Sequence, residues 1–254
     1  MLPPNKGNEQ TLLVGGIVPF TTLDYPEHLS AVVFCHGCCW HCPYCHNQEI
    51  IDINKPVKYA PSWESVINFL SQRQGLLDAV VFSGGEPLLQ PAVKSAIKQV
   101  KDMGFKVALH TNGHNPQMLA EVLPDISWIG LDIKTVFSEY YKAVSKDPSF
   151  WDKIKSQNFG KAVEKSLDTI LKAGTDFECR TTLDPRVVSK DELKRIAKTL
   201  SEKGVKTYAI QEYRKTDESP EQPSNEEISS FFTDAELLAE IKPLFPHFII
   251  RRAR

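Results

Sequence analysis

Residues 35–47 read CHGCCWHCPYCHN and hold five of the chain's six cysteines within eleven positions. A disulfide is a poor account of them, because neighbours such as Cys38 and Cys39 would bridge only with severe strain. The polar start MLPPNKGNEQ lacks the apolar h-region of a secretory leader. The expected compartment is therefore the cytoplasm, where thiols stay reduced. Clustered reduced cysteines point to metal. Cys38, Cys42 and Cys45 are spaced C-x3-C-x2-C, with Cys35 and Cys39 outside that frame. Thiolates three or four residues apart in a loop can converge on one centre. Two centres fit. One is zinc held by three cysteines, with His36 or His46 as the fourth ligand. The other is an iron–sulfur cluster on three thiolates instead of the usual four, leaving one iron open to a non-protein ligand. Spacing alone does not separate the two.

The elements that must position these residues alternate in type. Short apolar runs with β character fall at 31–35, 77–82, 106–110, 127–133, 176–183 and 206–213. Helical patterns fall between them, at 62–70, 91–103, 161–174, 189–200 and 233–245. Ser189 with Glu192, and Thr233 with Glu236, stand at capping-box spacing. About six β-α units in succession predict an α/β fold whose parallel sheet curls toward a barrel. GGIVPFTTLDYP (15–26) is expected to form a hairpin before the first unit, and HFIIR (247–251) an additional edge strand.

The remaining chemical residues fall on that frame in order. SGGEP (83–87) follows the second strand and HTNG (110–113) the third. Asp132, Ile133 and Lys134 end the fourth, Arg180 and Thr181 lie late in the fifth, and Gln211 and Tyr213 end the sixth. All of these lie at C-terminal strand ends, where β/α barrels build their sites.

Composition narrows the class. A chain of 254 residues, 41% hydrophobic, can bury a core without staples. A net charge of -2 makes no general case for nucleic acid or an anionic membrane surface. No apolar run approaches the roughly 18 residues needed to span a bilayer. The expectation is one domain over 1–254, with an N-terminal hairpin extension at 1–26. The core barrel is expected at 27–214, and a C-terminal helix with an extra strand at 215–254.

The motifs together resemble a known family. C-x3-C-x2-C after the first strand, with GGEP after the second, looks like the radical S-adenosylmethionine superfamily. The string GGIVPFTTLDYPEHLSAVVFCHGCCWHCPYCHN is similar to one branch. That branch is the activating proteins of anaerobic ribonucleoside-triphosphate reductase, related to pyruvate formate-lyase activating enzyme. Such proteins read P-F-(S/T)-T-x-D-Y-P, G-C-x-x-x-C-x-Y-C-H-N, G-G-E-P, T-N-G, L-D-x-K and R-T-T, and this chain carries all six in order from residue 15 to about 214. It departs in having His36 where Gln is common and an additional thiol at Cys39.

The resemblance implies an incomplete (βα)6 TIM-like barrel with the radical SAM core. It implies a [4Fe-4S] cluster on Cys38, Cys42 and Cys45, whose open iron takes the amino and carboxylate groups of S-adenosyl-L-methionine. Reductive cleavage would give a 5′-deoxyadenosyl radical that takes hydrogen from the substrate, so no side chain is named as general acid or base. Gly84, Gly85 and Glu86 would hold the methionyl amino group. Asp132, Ile133 and Lys134 would contact the methionyl or ribose groups, with Lys134 and Arg180 toward the carboxylate. Asn112 and Gln211 are candidates for ribose or adenine. The implied substrate is a glycine of a partner glycyl-radical enzyme, such as anaerobic ribonucleoside-triphosphate reductase. Electrons would come from a flavodoxin or ferredoxin, since Cys35, Cys39 and Cys179 are not spaced for a second cluster. The alternatives are a radical enzyme acting on a small molecule or peptide, and a non-catalytic zinc or iron–sulfur binding module.

Other features have plainer readings. Cys35 and Cys179 read as small buried residues, and His110 as a packed strand-end histidine. His41 and His46 read as loop residues. Trp40 and Tyr44 either shield the cluster or pack the loop. Residues 215–227 read as a surface loop, and the terminal RRAR as a solvated tail. The stretch 135–160 is long for a β-α connection and is expected to cover the cofactor or receive the partner.

Overall fold

The computed structural model describes residues 11–144, 150–215 and 222–253, with 150–157 as backbone. The expectations for the leader-free start at 1–10 and for the centres of 135–160 and 215–227 fall partly or wholly outside the described residues. The chain divides into two compact units. The first takes residues 1–39, 49–111 and 117–128, and the second takes 40–48, 112–116 and 129–254.

In the first unit, β1 (Val14–Thr21) pairs antiparallel with β2 (Ser30–Cys35); residues 15–26 do not fold on themselves as a separate hairpin, but give one strand that pairs with the first core strand. β2 then pairs in parallel with β3 (Ala79–Gly84), and β3 with β4 (Lys106–Thr111). Ala31, Val32 and Val33 of β2, and Ala79 through Phe82 of β3, are buried. Unbroken apolar runs of this kind mark parallel strands covered on both faces. On one face Val32, Ala79, Val81 and Ala108 pack with Tyr25 and Trp128. α1 (Trp63–Ser71) and α2 (Val93–Asp102) follow β2 and β3, and the Trp63 ring of α1 lies 6.1 Å from the Phe82 ring of β3. Val93, Ala96, Ile97 and Val100 make the buried stripe of α2, one face of a 3.6-residue period. A short α3 (Pro116–Val122) was not evident from periodicity.

In the second unit, β5 (Trp128–Asp132) is followed by α4 (Tyr141–Val144) and α5 (Phe150–Ala173). β6 (Asp176–Leu183), β7 (Thr207–Glu212) and β8 (His247–Arg251) pair in parallel in that order. The expected edge strand at 247–251 therefore forms. α6 (Lys190–Glu202) opens with the Ser189–Glu192 capping box, which forms reciprocally at 3.2 and 2.8 Å. The α/β class with parallel strands stands as expected.

Three readings need correction. Residues 225–227 are helical and not part of a loop. Ser224 and Glu227 make a second capping box and start α7 (Asn225–Thr233), a helix concealed by the charge of its first turn. Thr233 is consequently the last residue of α7 and not a cap. Asp234 caps α8 (Ala235–Ile241) instead, accepting from the Leu237 amide at 2.9 Å. Arg251 and Arg252 of RRAR are not a solvated tail; Arg254 lies outside the described residues. Arg251 forms a two-pronged pair with Glu178 at 2.6 and 2.9 Å, and Glu178 is 2% exposed. Arg252 bonds Glu212 at 3.0 Å and lies over the Phe232 ring.

Removing Arg251 would strand the buried Glu178 carboxylate. Arg251→Ala is expected to lower unfolding stability by about 3 kcal/mol in urea melts, the usual result of breaking one side of a buried pair. The double variant with Glu178→Gln is expected to recover part of that loss.

Candidate active site

The first unit supplies the N-terminal part of the cysteine loop and the GGEP turn. Gly84 ends β3 opposite Cys35 of β2. From there the chain crosses directly over the loop. The Gly85 amide donates to Cys35 O at 2.9 Å, and the Glu86 amide donates to Gly37 O at 2.8 Å. A Cβ on Gly85 would lie 2.1 Å from Gly37 O, so only glycine allows this crossing. The loop is held from its other side as well. The Gly37 and Cys38 amides donate to Ile50 O and Ile51 O at 2.7 and 2.8 Å. His36 Nε2 bonds Asp52 O at 2.9 Å, which makes His36 a structural residue.

Sequence reasoning missed Gln90. Its buried side chain accepts from the Leu13 amide at 2.8 Å and donates to Leu13 O and His36 O at 2.9 and 2.8 Å. It ties the start of β1 to the cysteine loop. Glu86 is 1% exposed, and its Oε1 accepts from the Leu88 amide at 2.9 Å and from Thr111 Oγ1 at 2.7 Å.

Cys35 is buried, and burial followed by the Glu86 charge pushes its thiol up. Cys39 is exposed, and its hydrogen bond with Cys38 pushes its thiol up. His110 bonds Asp24 O at 2.7 Å and meets Trp128 edge-on, as expected for a packed strand-end histidine.

The rest of the loop and the strand-end charges lie in the second unit. Cys42 and Cys45 stand at the ends of a turn closed by the Cys45 amide on Cys42 O at 3.1 Å. Trp40 is buried against Tyr140 and Phe159, with His114 at its edge. Asp132 gathers two cations. Arg180 reaches Oδ1 at 2.9 Å and Lys134 reaches Oδ2 at 3.3 Å, and the two cations are 10% and 13% exposed. Arg180 also donates to Gly130 O at 3.3 Å and lies across that glycine, where a Cβ would stand 2.7 Å from its Cζ.

The Lys134 ammonium sits 5.6 Å from the Tyr44 ring centre. Burial opposes its charge, but the Asp132 carboxylate beside it favours the charged form and its pKa lies above the lysine range. Burial pushes the Tyr44 phenol up. The Ile133 amide donates to Arg180 O, and Ile133 O accepts from Thr181, so the LDIK segment and β6 are stitched together. Asn112 is buried and accepts from the His114 amide at 2.9 Å. Gln211 sits on β7 opposite Thr182 and Arg251. It is not joined to the Asp132 group by any hydrogen bond found here among the described residues.

None of the six cysteines is in a disulfide. Among the described residues, no three His, Cys, Asp or Glu side chains are gathered into a metal-binding group. No described helix is long and apolar enough to cross a membrane.

Comparison with known proteins gives the family. A sequence model of the Radical SAM superfamily matches residues 32–179. A Methanocaldococcus jannaschii protein named "Putative glycyl-radical enzyme activating enzyme MJ1227" is 36% identical over 208 residues, 81% of each chain. The pyruvate formate-lyase-activating enzyme of Clostridium pasteurianum is 31% identical over 120 residues, 46% of this chain and 50% of that one. The crystal structure of a radical SAM methyltransferase from Sphaerobacter thermophilus superposes with a TM-score of 0.64. Its identity is 14%, over 91% of this chain and 68% of the other, which shows the fold alone. The chain belongs to the radical SAM superfamily and is an enzyme of that class. Membership implies S-adenosylmethionine and an iron–sulfur cluster.

Two outcomes follow from the geometry. Gly85→Ala is expected to separate the turn from Gly37, and iron incorporation and S-adenosylmethionine affinity should both fall at least about tenfold, since a 2.1 Å contact with a backbone oxygen forces the two backbone segments apart. His114 has its pKa lowered to about 4 by burial. Its folded-state pKa lies below the unfolded value, so the stability it contributes is present above about pH 6.5 and lost as pH falls toward 4. Chemical denaturation across that window is expected to show the slope, and His114→Gln to flatten it.

Proposed function

We propose that this protein is a glycyl-radical-enzyme activase. Cys38, Cys42 and Cys45 would hold a [4Fe-4S] cluster, and the GGEP turn and the Asp132 group would hold S-adenosyl-L-methionine. The observation carrying this reading is the close backbone crossing of Gly85 over Gly37. It sets a carboxylate-bearing turn beside the residue preceding Cys38.

The donor types suit both groups, although the described side chains are not drawn together into a metal-binding group. Three thiols outside any disulfide lie within eight positions, and thiolate sulfur is the donor that iron–sulfur clusters take. Glu86 offers a buried carboxylate for an ammonium group. Arg180 and Lys134 offer paired donors for a carboxylate. When bound, cluster and cofactor together supply one-electron cleavage of the sulfonium and removal of a hydrogen atom from the substrate.

This chain's own residues do the holding. Glu86 would take the methionyl ammonium. Arg180, steadied by Asp132, would take the methionyl carboxylate, and Lys134 would sit beside it. Trp40 and Tyr44, both buried, would keep water from the cysteine loop. Asn112 and Gln211 would meet ribose or adenine. The 36% identity to a protein named for glycyl-radical enzyme activation favours a glycine of a large partner enzyme as the hydrogen source. Anaerobic ribonucleoside-triphosphate reductase is the partner we infer, with a flavodoxin or ferredoxin as electron donor.

The test is anaerobic. The reconstituted, reduced protein is mixed with S-adenosylmethionine and a candidate glycyl-radical enzyme. 5′-Deoxyadenosine is quantified, and the partner is examined by electron paramagnetic resonance. We expect product and a partner-borne doublet, and neither from the variant with Cys38, Cys42 and Cys45 all changed to Ala. Product without any partner radical would redirect the search to a small molecule or peptide. A bound, colourless zinc with no cofactor cleavage would overturn the reading.

A further inference from the structure

Oε1 of the Glu86 carboxylate accepts from donors of two different origins. The Leu88 amide is local, two residues along the same turn, and donates to Oε1 at 2.9 Å. The second donor, Thr111 Oγ1 at 2.7 Å, comes from the end of β4, 25 residues away. Both side chains are buried, Glu86 to 1% and Thr111 to 2% exposure.

A single local bond leaves a carboxylate able to swing about its last torsion, which is broad for glutamate. A second bond to the same oxygen, from a separate strand, sets the plane of the group. Thr111 is suited to this task because a β-branched side chain in a strand has restricted χ1. A hydroxyl that spends its proton on a carboxylate also favours the ionised form. That is the form an ammonium group requires.

We propose that Thr111 is a positioning residue for amino-group recognition, orienting Glu86 toward the methionyl ammonium of S-adenosylmethionine. This rests on the reading that Glu86 receives that ammonium. Thr111 does not itself touch the cofactor in this account. It acts through the carboxylate, and it tells ligands that carry the amino acid portion from ligands that lack it.

Two probes make that distinction measurable. S-Adenosylhomocysteine carries the amino acid portion, and 5′-methylthioadenosine carries the adenosine and thioether without it. Their dissociation constants are measured by calorimetry on the cluster-loaded protein, without reductant, for wild type, Thr111→Val, Thr111→Ser and Glu86→Gln. Thermal melts confirm that each variant folds. Thr111→Val removes the hydroxyl at nearly constant volume. It is expected to weaken S-adenosylhomocysteine about tenfold, the scale of one hydrogen bond to a charged group. It should leave 5′-methylthioadenosine within about twofold, since that probe has no amino group to recognise. Thr111→Ser keeps the donor and should stay near wild type. Equal weakening of both probes in Thr111→Val would mean general damage to the pocket and would overturn the proposal. So would an unchanged Thr111→Val beside a weakened Glu86→Gln. If Glu86→Gln leaves S-adenosylhomocysteine binding unchanged, the underlying assignment of Glu86 fails, and the role of Thr111 fails with it.

Discussion

Two peptide units cross where Gly85 lies on Gly37, with amides donating to Cys35 O and Gly37 O at 2.9 and 2.8 Å. There is no room for a side chain between them. Much of the first unit's site geometry depends on this contact. It fixes where the chain leaves β3 and where Glu86 enters its buried position. It also limits how far the residues before Cys38 can move, because Gly37 is bonded from both sides. The Ile50 and Ile51 carbonyls and the Gln90 side chain complete the restraint. A loop rich in thiols is thereby held by backbone bonds, which do not change with redox state or metal content.

The second unit uses charge where the first uses backbone. Asp132 is one carboxylate serving two cations, and both cations are mostly withdrawn from water. A lone buried cation is strongly disfavoured, and one carboxylate between two leaves the group with net positive charge. Such a group is stable only with an anion near it or with partial access to solvent, and Asp132 is 33% exposed. A ligand carboxylate would complete the charge balance. Gly130 makes the arrangement possible by letting the Arg180 guanidinium lie against the strand.

Much of this was legible in the sequence, and the limits are instructive. Strand positions could be read because parallel strands buried on both faces are continuous apolar runs, as in Ala79 to Phe82. Motif residues could be placed because they follow those runs. Gln90 could not, since its bonding partners Leu13 and His36 lie 77 and 54 residues away. Thr111 was visible only as part of a T-N-G string, because its contact with Glu86 spans 25 residues. α7 was hidden by its own capping chemistry, as acidic first-turn residues read as loop when counted by charge. The arginines near the end of the chain look solvated until β8 aligns Arg251 with Glu178. Spacing finds what is local; bonds between distant strands need the fold.

The two units are interleaved along the chain. The second takes its first piece from residues 40–48 and another from 112–116, long before its main body begins at 129. Cys38 is counted with one unit, and Cys42 and Cys45 with the other. No single cut in the polypeptide therefore yields both units whole as independent fragments. Synthesis imposes the same order. When residues 40–48 leave the ribosome, most of the unit they belong to has not been made, and β8 follows about two hundred residues later. The cysteine loop thus spends most of translation without its final surroundings. An oxygen-sensitive assembly on those thiols would best be made after the chain is complete, which favours delivery of iron and sulfide to a finished fold over capture by a nascent one.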